Sequence, residues 1–461
     1  MSHPSQHSPQ GTHAIVIGAG ITGLVAARVL LNHFDRVTVL DRDRLPEGPE
    51  FRKGVPQSHQ IHILLVAGSR IVEELFPGMN EDLAAAEVPT IDFGWDLLVH
   101  LPQGKMPHLR TNLTVSFSSR TMREWTIRRR LVRFPGVRVL EGCEVAGLIG
   151  DKGGVSGVRV RFRGQEGEAL KAQEDILSAD LIVDAGGRSS RNLQWLVELG
   201  FPAPDESVVS SFIGYASRLY RLKDTQRPPY RLIADTPSAP DRSRGAVLAS
   251  IEGGVHIVTL LGAVRDYPPT GDEGFVEWTR DLRTPLIYEA LQGAEPLTPV
   301  HSYRHTDNGF RHFERMPRWP ERFVVIGDAV VRLNPLYGQG MTVGAQSAMA
   351  LDRHLGQHRA RHPGRRLQGF APAFQKSLAR FLLGPWLLAT GEDFRWPQAE
   401  GVKPNAIFQL LQKYADQVLS VCVQDEEAYR VFLEVQHGIR PAQALFHPSV
   451  AAKVLRRVLH A

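Results

Sequence analysis

Three glycines between an apolar strand and an apolar helix are the residues of this chain with the clearest chemical meaning. Segment 14–31 reads AIVIGAGITGLVAARVLL, so Gly18, Gly20 and Gly23 follow the pattern G-x-G-x-x-G. In this pattern the first glycine permits a tight turn, the second lets the backbone approach a pyrophosphate, and the third lets helix and strand pack closely. The helix N-terminus adds unpaired N–H groups and the positive end of its dipole. The segment therefore predicts a dinucleotide site.

An acidic residue follows at a suitable distance. A second apolar strand, Arg36–Leu40, ends at Asp41, where a carboxylate can accept a hydrogen bond from a ribose hydroxyl. The glycine pattern alone is weak, and an accidental glycine-rich turn is its alternative. The strands on both sides and the acid favour the dinucleotide site.

Two later segments repeat the arrangement of a buried strand followed by glycine and acid. Segment 180–191 reads DLIVDAGGRSSR, in which Asp184 either ends a strand or contacts the cofactor. Strand 323–326 leads into Gly-Asp at 327–328, a proline-bearing loop, and a glycine pair that opens a helix of small residues. Between these segments, runs at 208–222 and 245–264 without an intervening helix predict an antiparallel sheet, with a hairpin turn at 252–254.

Composition excludes several other classes of function. The chain has 461 residues, enough for two or three packed units, and its net charge of +5 is small for that length, so no nucleic-acid partner is expected. Its two cysteines form no C-x-x-C, which excludes a disulfide framework and a thiolate zinc site. No apolar run approaches the roughly 18 residues of a membrane span, and no secretory signal is evident. These features predict a soluble, cytoplasmic protein.

Taken in order, the three segments resemble the FAD-dependent monooxygenases of the aromatic-hydroxylase, or class A flavoprotein, fold. The block FRKGVPQ at 51–57 with His59 and His62, read with NPLYGQGM at 334–341, is similar to the bacterial flavin epoxidases of polyether polyketide biosynthesis. The resemblance covers about residues 12 to 355. It implies FAD as cofactor and NADPH or NADH as co-substrate, which docks transiently or acts through a separate flavin reductase.

The resemblance also implies an α/β fold. A Rossmann-like FAD-binding domain of the GR2 type is interrupted by an inserted substrate domain with an antiparallel sheet and followed by a helical extension. The expected divisions are a disordered tail (1–11), an FAD-binding domain (12–88, 115–200 and 303–366), a substrate domain (89–114 and 201–302) and a C-terminal helical region (367–461). In that last region Ile407, Leu410, Leu411, Tyr414 and Val418 form one apolar stripe, which predicts a helix docked on the body. A helix is also expected over 61–75.

The family pattern assigns cofactor contacts to individual residues. Arg52 lies in the first motif block and is either a flavin contact or an ordinary surface arginine. His59 and His62 lack a third ligand nearby, so no metal site is expected. The remaining implied contacts are Asp41 and Arg42 at the adenosine, a backbone group of Val145 at the adenine, Arg120 at the ribityl and diphosphate groups, Asp328 at a ribityl hydroxyl, and Gly338, Gly340 and Met341 at the flavin pyrimidine. Pro335 of the same loop is also an implied cofactor contact.

The implied activity is insertion of one oxygen atom from dioxygen into an apolar, natural-product-type substrate through a flavin C4a-hydroperoxide. No catalytic side chain is assigned. A phenol benefits from a base and an alkene does not, so the lack of an evident base favours alkene epoxidation slightly. The alternatives are hydroxylation of a phenol or quinone-like substrate, reduction of a double bond, and a non-catalytic flavin-binding protein. A halogenase of the tryptophan type would carry a W-x-W-x-I-P segment, which is missing. Both a monomer and a homodimer are compatible with the sequence.

Overall fold

The computed structural model of the chain describes residues 12–162, 174–363, 367–402 and 406–460, so the predicted tail 1–11 lies outside the described residues. The strands are β1 His13–Ile17, β2 Arg36–Leu40, β3 Thr90–Asp92, β4 Leu97–Leu101, β5 Gly104–Lys105, β6 Thr114–Ser116, β7 Val137–Leu140, β8 Cys143–Asp151, β9 Gly154–Phe162, β10 Glu174–Ser178, β11 Leu181–Asp184, β12 Glu206–Ser210, β13 Gly214–Arg221, β14 Leu232–Asp235, β15 Arg244–Ser250, β16 His256–Gly262, β17 Glu295–Pro296, β18 His301–Tyr303, β19 Asn308–Arg311, β20 Phe323–Val325, β21 Val331–Arg332 and β22 Glu400–Gly401. The helices are α1 Ile21–Leu30, α2 Val66–Leu75, α3 Met79–Ala85, α4 Arg120–Leu131, α5 Asn192–Glu198, α6 Asp272–Glu277, α7 Leu286–Leu291, α8 Gly340–Arg361, α9 Phe370–Asp393, α10 Ala406–Cys422, α11 Glu426–Gln436 and α12 Pro448–His460.

A five-stranded parallel sheet in the order β20-β11-β1-β2-β7 carries the three glycine segments. Its strands are short apolar runs, as expected for strands covered on both faces. Strand β1 lies between β11 and β2, and Ile17 pairs with Asp184 on one side and Leu40 on the other. Because parallel strands end at the same edge, the glycine turn, the acid after β2 and the segment after β11 meet there. The predicted mixed α/β fold is confirmed.

The chain also forms a second, larger sheet with the strand order β17-β13-β16-β15-β14-β4-β5. Strand β18 pairs with β13 in the same sheet. Its pairs are antiparallel, as the sequence predicts, except that β14 runs parallel to β4. The turn at Glu252–Gly254 joins β15 and β16 as expected. Strand β12 belongs instead to a smaller sheet with β19, β21 and β22. The proposed division into domains stays a prediction.

The C-terminal helices cover part of the large sheet. Val418 of α10, Tyr429 and Leu433 of α11 share an apolar cluster with Leu232 and Ile257 of the sheet. None of the helices in the described ranges combines the length and the apolar character needed to cross a bilayer.

Two local expectations were wrong in part. The stripe on α10 docks only at its C-terminal end: Val418 is 1% exposed, whereas Ile407 is 71% and Leu410 67% exposed, because the rest of the chain covers α10 only from about Gln412 onward. The helix expected over 61–75 begins at Val66. The preceding residues are extended, because their backbone bonds go elsewhere: Ile61 N–H to Thr259 Oγ1 and Leu65 N–H to Thr342 Oγ1.

Candidate functional site

The glycine turn after β1 has two closed positions and one open position. Gly18 has φ +98°, and a Cβ atom there would lie 2.7 Å from the Ala185 carbonyl oxygen. A Cβ on Gly23 would lie 1.9 Å from the Gly18 carbonyl oxygen. At Gly20 the nearest atom to an added Cβ is Arg120 Nη2 at 3.8 Å, and no side chain caps α1. Gly18 and Gly23 therefore serve packing, while Gly20 faces open space at the N-terminus of α1.

The Asp41 carboxylate lies at one end of this space. It accepts hydrogen bonds from Ala19 N–H (2.7 Å), Asp43 N–H (2.9 Å) and Arg52 Nη1 (3.1 Å). Since a carboxylate offers about four acceptor positions, one remains on Oδ2 for a hydroxyl such as that of ribose. The neighbouring Arg42 is exposed, as a residue bordering an adenine would be.

Arg52 forms a clasp between the loop after β2 and helix α4. Its side chain is 8% exposed, and its guanidinium contacts Asp41 at 3.1 Å, Asp43 at 2.9 Å and Glu124 at 2.9 Å. Burial lowers the pKa of Arg52, but the charges of Glu124 and Asp41 outweigh burial, so its pKa is raised and it stays charged. Its contacts are with carboxylates of the chain, and a direct flavin contact stays a prediction.

Asp328 and Arg120 face the middle of the open space with unused hydrogen-bonding capacity. Within the described residues, no hydrogen bond reaches the Asp328 carboxylate, and Arg120 Nε is buried without an acceptor. Burial raises the pKa of Asp328, while the charges of Arg120, Arg188 and Arg332 oppose this shift. An unsatisfied buried nitrogen such as Arg120 Nε is rare and costly, and the half-buried Asp328 carboxylate beside it has free acceptor positions, so the two groups together suit a polar ligand.

The loop of residues 334–341 leads into α8 at the other end. Asn334 caps its first turn by accepting a hydrogen bond from Leu336 N–H at 3.1 Å, and Gly338 adopts φ +64°. Helix α8 then begins at Gly340 without a side-chain cap, and an added Cβ on Gly340 would lie 3.9 Å from Asp328 Oδ1. Pro335 is exposed and Met341 is buried. The free N–H groups of α8 therefore open beside Asp328.

Val145 is buried on β8 opposite Val160, next to a bulge between Val145 and Gly147. Strand β8 starts at the Asp41 end of the space, where Cys143 N–H donates to the Asp41 carbonyl at 2.8 Å. The adenine contact assigned to Val145 is compatible with this position and stays a prediction.

The residues present fit FAD. Asp41, Gly20, Arg120, Asp328 and Gly340 supply, in that order, an acceptor for ribose, an open helix N-terminus, a cation, an acceptor for a ribityl hydroxyl and a second helix N-terminus. A negatively charged diphosphate suits the first helix and the arginine, and the pyrimidine end of a flavin suits the second.

Three charged residues beside the site have their partners within the chain. The Asp184 carboxylate accepts hydrogen bonds from Gly186 N–H, Ser190 Oγ and Asn192 Nδ2, which is the role of a residue that ends a strand. Arg332 turns to Glu206 and Asp307. Arg188 also pairs with Asp307, at 2.7 Å.

The histidines of the first motif block also have contacts within the chain. The His59 ring is stacked between those of Phe51 and His301, each 3.8 Å away. His62 Nδ1 lies 2.9 Å from the Gln60 carbonyl oxygen.

Sequence reasoning missed a buried polar network beneath loop 334–341. Asp393, from the end of α9, contacts Tyr337 and two asparagines, and Tyr215 of β13 donates to Asn334 Oδ1 at 3.1 Å. Asn334 and Tyr337 lie in a motif that was recognised. Asp393 lies in a long helix with no pattern around it, so no signal could have found it.

Comparison with known proteins agrees with this geometry. A family model described as an FAD binding domain matches residues 11–367. The protein Rv3254 of Mycobacterium tuberculosis (strain ATCC 25618 / H37Rv) is 33% identical over 360 residues, which are 74% of this chain and 73% of that protein.

Two solved structures show the same fold at low identity. The flavin-dependent brominase Bmp2 is 17% identical with a TM-score of 0.65, and the match covers 97% of this chain and 99% of Bmp2. PqsL of Pseudomonas aeruginosa, described as a probable FAD-dependent monooxygenase, is 15% identical with a TM-score of 0.59, covering 83% of this chain and 98% of PqsL. These likenesses concern the fold, and the predicted class A flavoprotein fold is confirmed. The chain therefore belongs to the FAD-binding-domain family of flavoproteins.

Proposed function

We propose that this protein is an FAD-dependent monooxygenase that inserts one oxygen atom of dioxygen into an apolar, natural-product-type substrate, with alkene epoxidation as its reaction. NADPH or NADH supplies the electrons, directly or through a separate reductase. One observation carries the proposal: the hydrogen bond from Tyr215 to Asn334 joins the large sheet to loop 334–341. A flavin held by this loop would therefore react beside the sheet and away from water.

The chain's own groups bind and orient the cofactor. The N-terminus of α1 and Arg120 hold the diphosphate, and Asp328 accepts a hydrogen bond from a ribityl hydroxyl. When bound, FAD supplies the electron transfer and oxygen activation. The N-terminus of α8 at Gly340 stabilises negative charge at the pyrimidine ring.

The contacts around the loop also exclude water. Gln60, between the first motif block and α2, donates to the His301 carbonyl at 3.0 Å and accepts from Ser217 Oγ at 2.6 Å. Ser217 in turn contacts Thr259 at 2.7 Å. All three side chains are buried, so the segment that carries Gln60 is fastened to the sheet and closes the site on that side.

The tyrosines and histidines near the loop favour a reaction without a base. Burial raises the pKa of Tyr215 and Tyr303, so both keep their protons near neutral pH. Burial lowers the pKa of His59 to about 4 and that of His62 to about 3, which makes both weak bases. Phenol hydroxylation profits from a base with a pKa near the working pH. An alkene needs none, so these tyrosines and histidines support epoxidation. Asp393, whose pKa is raised to about 6, lies beneath the loop with both carboxylate oxygens already accepting hydrogen bonds from Tyr337, Asn334 and Asn308.

The test is turnover of the FAD-loaded protein with NADPH and isotopically labelled dioxygen, against a panel of polyenes and phenols, with and without bromide. We expect one labelled oxygen atom in an epoxide and NADPH consumption matched to product. Label in a phenol would replace epoxidation by hydroxylation. A brominated product, an unlabelled reduced alkene, or label only in hydrogen peroxide would each contradict oxygen insertion.

A further inference from the structure

Loop 334–341 is held from beneath by the C-terminal helical region. The support is the carboxylate of Asp393, the last residue of α9, which is fully buried. Its Oδ1 accepts from Tyr337 Oη at 2.7 Å and from Asn334 Nδ2 at 3.1 Å, and its Oδ2 accepts from Asn308 Nδ2 at 2.6 Å. One side chain thus reaches both ends of the turn that precedes Gly338.

The bond to Asn334 has a consequence for the loop. Because the Asn334 amide nitrogen donates to Asp393, its Oδ1 is turned the other way, toward Leu336 N–H and Tyr215 Oη, each at 3.1 Å. The bond to Leu336 caps the turn from which Gly338 and Gly340 follow. The orientation of the Asn334 amide therefore connects Asp393 with the start of α8.

We propose that Asp393 is a positioning residue for the flavin, acting through Asn334 and Tyr337 on the N-terminus of α8, and that the C-terminal helical region is thereby part of the cofactor site. The inference rests on the proposed role of loop 334–341 in holding the flavin pyrimidine. It gives a function to a region that no motif marks.

The Asp393 carboxylate changes its protonation state within the pH range of the test. Burial raises the pKa of Asp393 to about 6, and the hydrogen bonds from Tyr337 and the asparagines limit the rise. The groups that face it from other elements are Tyr337 of the loop and Tyr215 of β13, both with raised pKa values. Beside it on α9, Glu392 pairs with Arg395, which also reaches Asp416 of α10. Above pH 6 the ionised carboxylate accepts from all its donors, and below pH 6 a proton occupies one acceptor position.

The test compares Asp393→Asn and Tyr337→Phe with Glu392→Gln as control. Asp393→Asn keeps the shape of the side chain but replaces one acceptor oxygen by an NH₂ group. This NH₂ group would face the side-chain NH₂ groups of Asn334 or Asn308, or the hydroxyl of Tyr337, which donate to Asp393 in the wild type. Tyr337→Phe removes only the hydrogen bond from Tyr337 to Asp393. It keeps the proposal testable if Asp393→Asn fails to fold. Glu392→Gln makes the same change of acid to amide one residue away, at a side chain 47% exposed.

The measurements are FAD affinity, the absorption spectrum and reduction potential of the bound flavin from pH 5 to 8, and melting temperature with and without FAD. For Asp393→Asn and Tyr337→Phe we expect about tenfold weaker FAD binding and an altered flavin spectrum and potential. In wild type and Glu392→Gln, FAD affinity falls below about pH 6, and in Asp393→Asn this step is absent. Equal losses of melting temperature with and without FAD, at wild-type affinity, spectrum and potential, would assign Asp393 to stability alone and overturn the proposal.

The proposed function and this inference fail separately. If the variants change FAD affinity and potential while no substrate is oxygenated, the positioning role stands and the monooxygenase proposal fails. If both variants bind FAD and oxygenate substrate as wild type does, the positioning role fails and the proposed function stands.

Discussion

A Cβ atom on Gly23 would lie 1.9 Å from the carbonyl oxygen of Gly18, which is closer than Cβ atoms approach other atoms in proteins. The third glycine of the motif therefore faces the first across a turn that has no room for a side chain. Gly20, between them, has φ −74° and open space in front of it. The chain itself requires two of the glycines, and a ligand requires the third.

This difference predicts opposite phenotypes for two substitutions. Gly20→Val should leave the unliganded protein within about 0.5 kcal/mol of wild type but weaken FAD binding at least about tenfold, because the side chain fills the space in front of α1. Gly23→Ala should instead destabilise the unliganded protein by about 1 to 3 kcal/mol. Urea unfolding of the unliganded proteins and FAD titration measure both effects. Retained FAD affinity in Gly20→Val would show that the turn does not hold the diphosphate.

Asp328 should show the same separation of stability and binding. Asp328→Ala removes a partly buried acid that accepts no hydrogen bond within the described residues, so the unliganded protein should be as stable as wild type or up to about 1 kcal/mol more stable. FAD affinity should fall about ten- to a hundredfold, the loss of one hydrogen bond to a charged acceptor. Titration of unliganded protein with FAD, next to urea unfolding, is the measurement. Full flavin occupancy after repeated dialysis would count against the assignment.

Substitution of Arg52 should lower the stability of the folded protein. Arg52→Met keeps an unbranched apolar stem but leaves Asp41, Asp43 and Glu124 without their shared cation, and breaking a buried ion pair typically costs about 3 to 5 kcal/mol. Arg244→Met is the control, since Arg244 pairs with Asp266 at a side chain 49% exposed and should cost less than about 1 kcal/mol. Equal losses in urea unfolding would mean that the clasp adds nothing beyond a surface pair.

The sequence was sufficient to predict the parallel sheet and the residues at its edge, because both follow from local patterns. Apolar runs of four or five residues that lead into glycine or acid have few alternatives to buried parallel strands, and their common edge brings Gly20 and Asp41 together without further information. Asp328 is found in the same way. Contacts between segments that are far apart in the sequence cannot be predicted from such local patterns. The parallel contact of β4 with β14 and the bonds from Asp393 to loop 334–341 depend on how elements far apart in the chain meet.

The stripe on α10 illustrates the same limit and yields a prediction. Helical spacing identifies an apolar face but does not say how much of it is covered. Leu410→Lys should change stability by less than about 0.5 kcal/mol, because Leu410 is 67% exposed. Val418→Lys should destabilise by several kcal/mol, because it buries a charge among the side chains of the large sheet and α11. Thermal unfolding of the two variants measures the difference, and similar losses would mean that both ends of α10 are covered.

The buried His437 should make the free energy of unfolding fall as the pH is lowered. Its ring lies 4.0 Å from that of Phe93, and its Nδ1 is 3.5 Å from the backbone nitrogen of Val66 at the start of α2. Burial lowers the pKa of His437 from 6.5 to about 4. Between these two pH values the unfolded chain binds a proton that the folded chain does not, so stability contributed at this site falls as the pH falls.

The variant His437→Gln should remove this loss. At about 1.4 kcal/mol for each pKa unit, the wild type should lose about 3 kcal/mol more than the variant between pH 6.5 and pH 4, even though the variant starts lower because the packing against Phe93 is poorer. Urea unfolding of both proteins across this range gives the two curves. Other groups that titrate there, Asp393 among them, affect both proteins alike and cancel in the difference. Parallel curves would mean that His437 takes up its proton in the folded protein, and that the contact between α2 and the end of α11 opens to water.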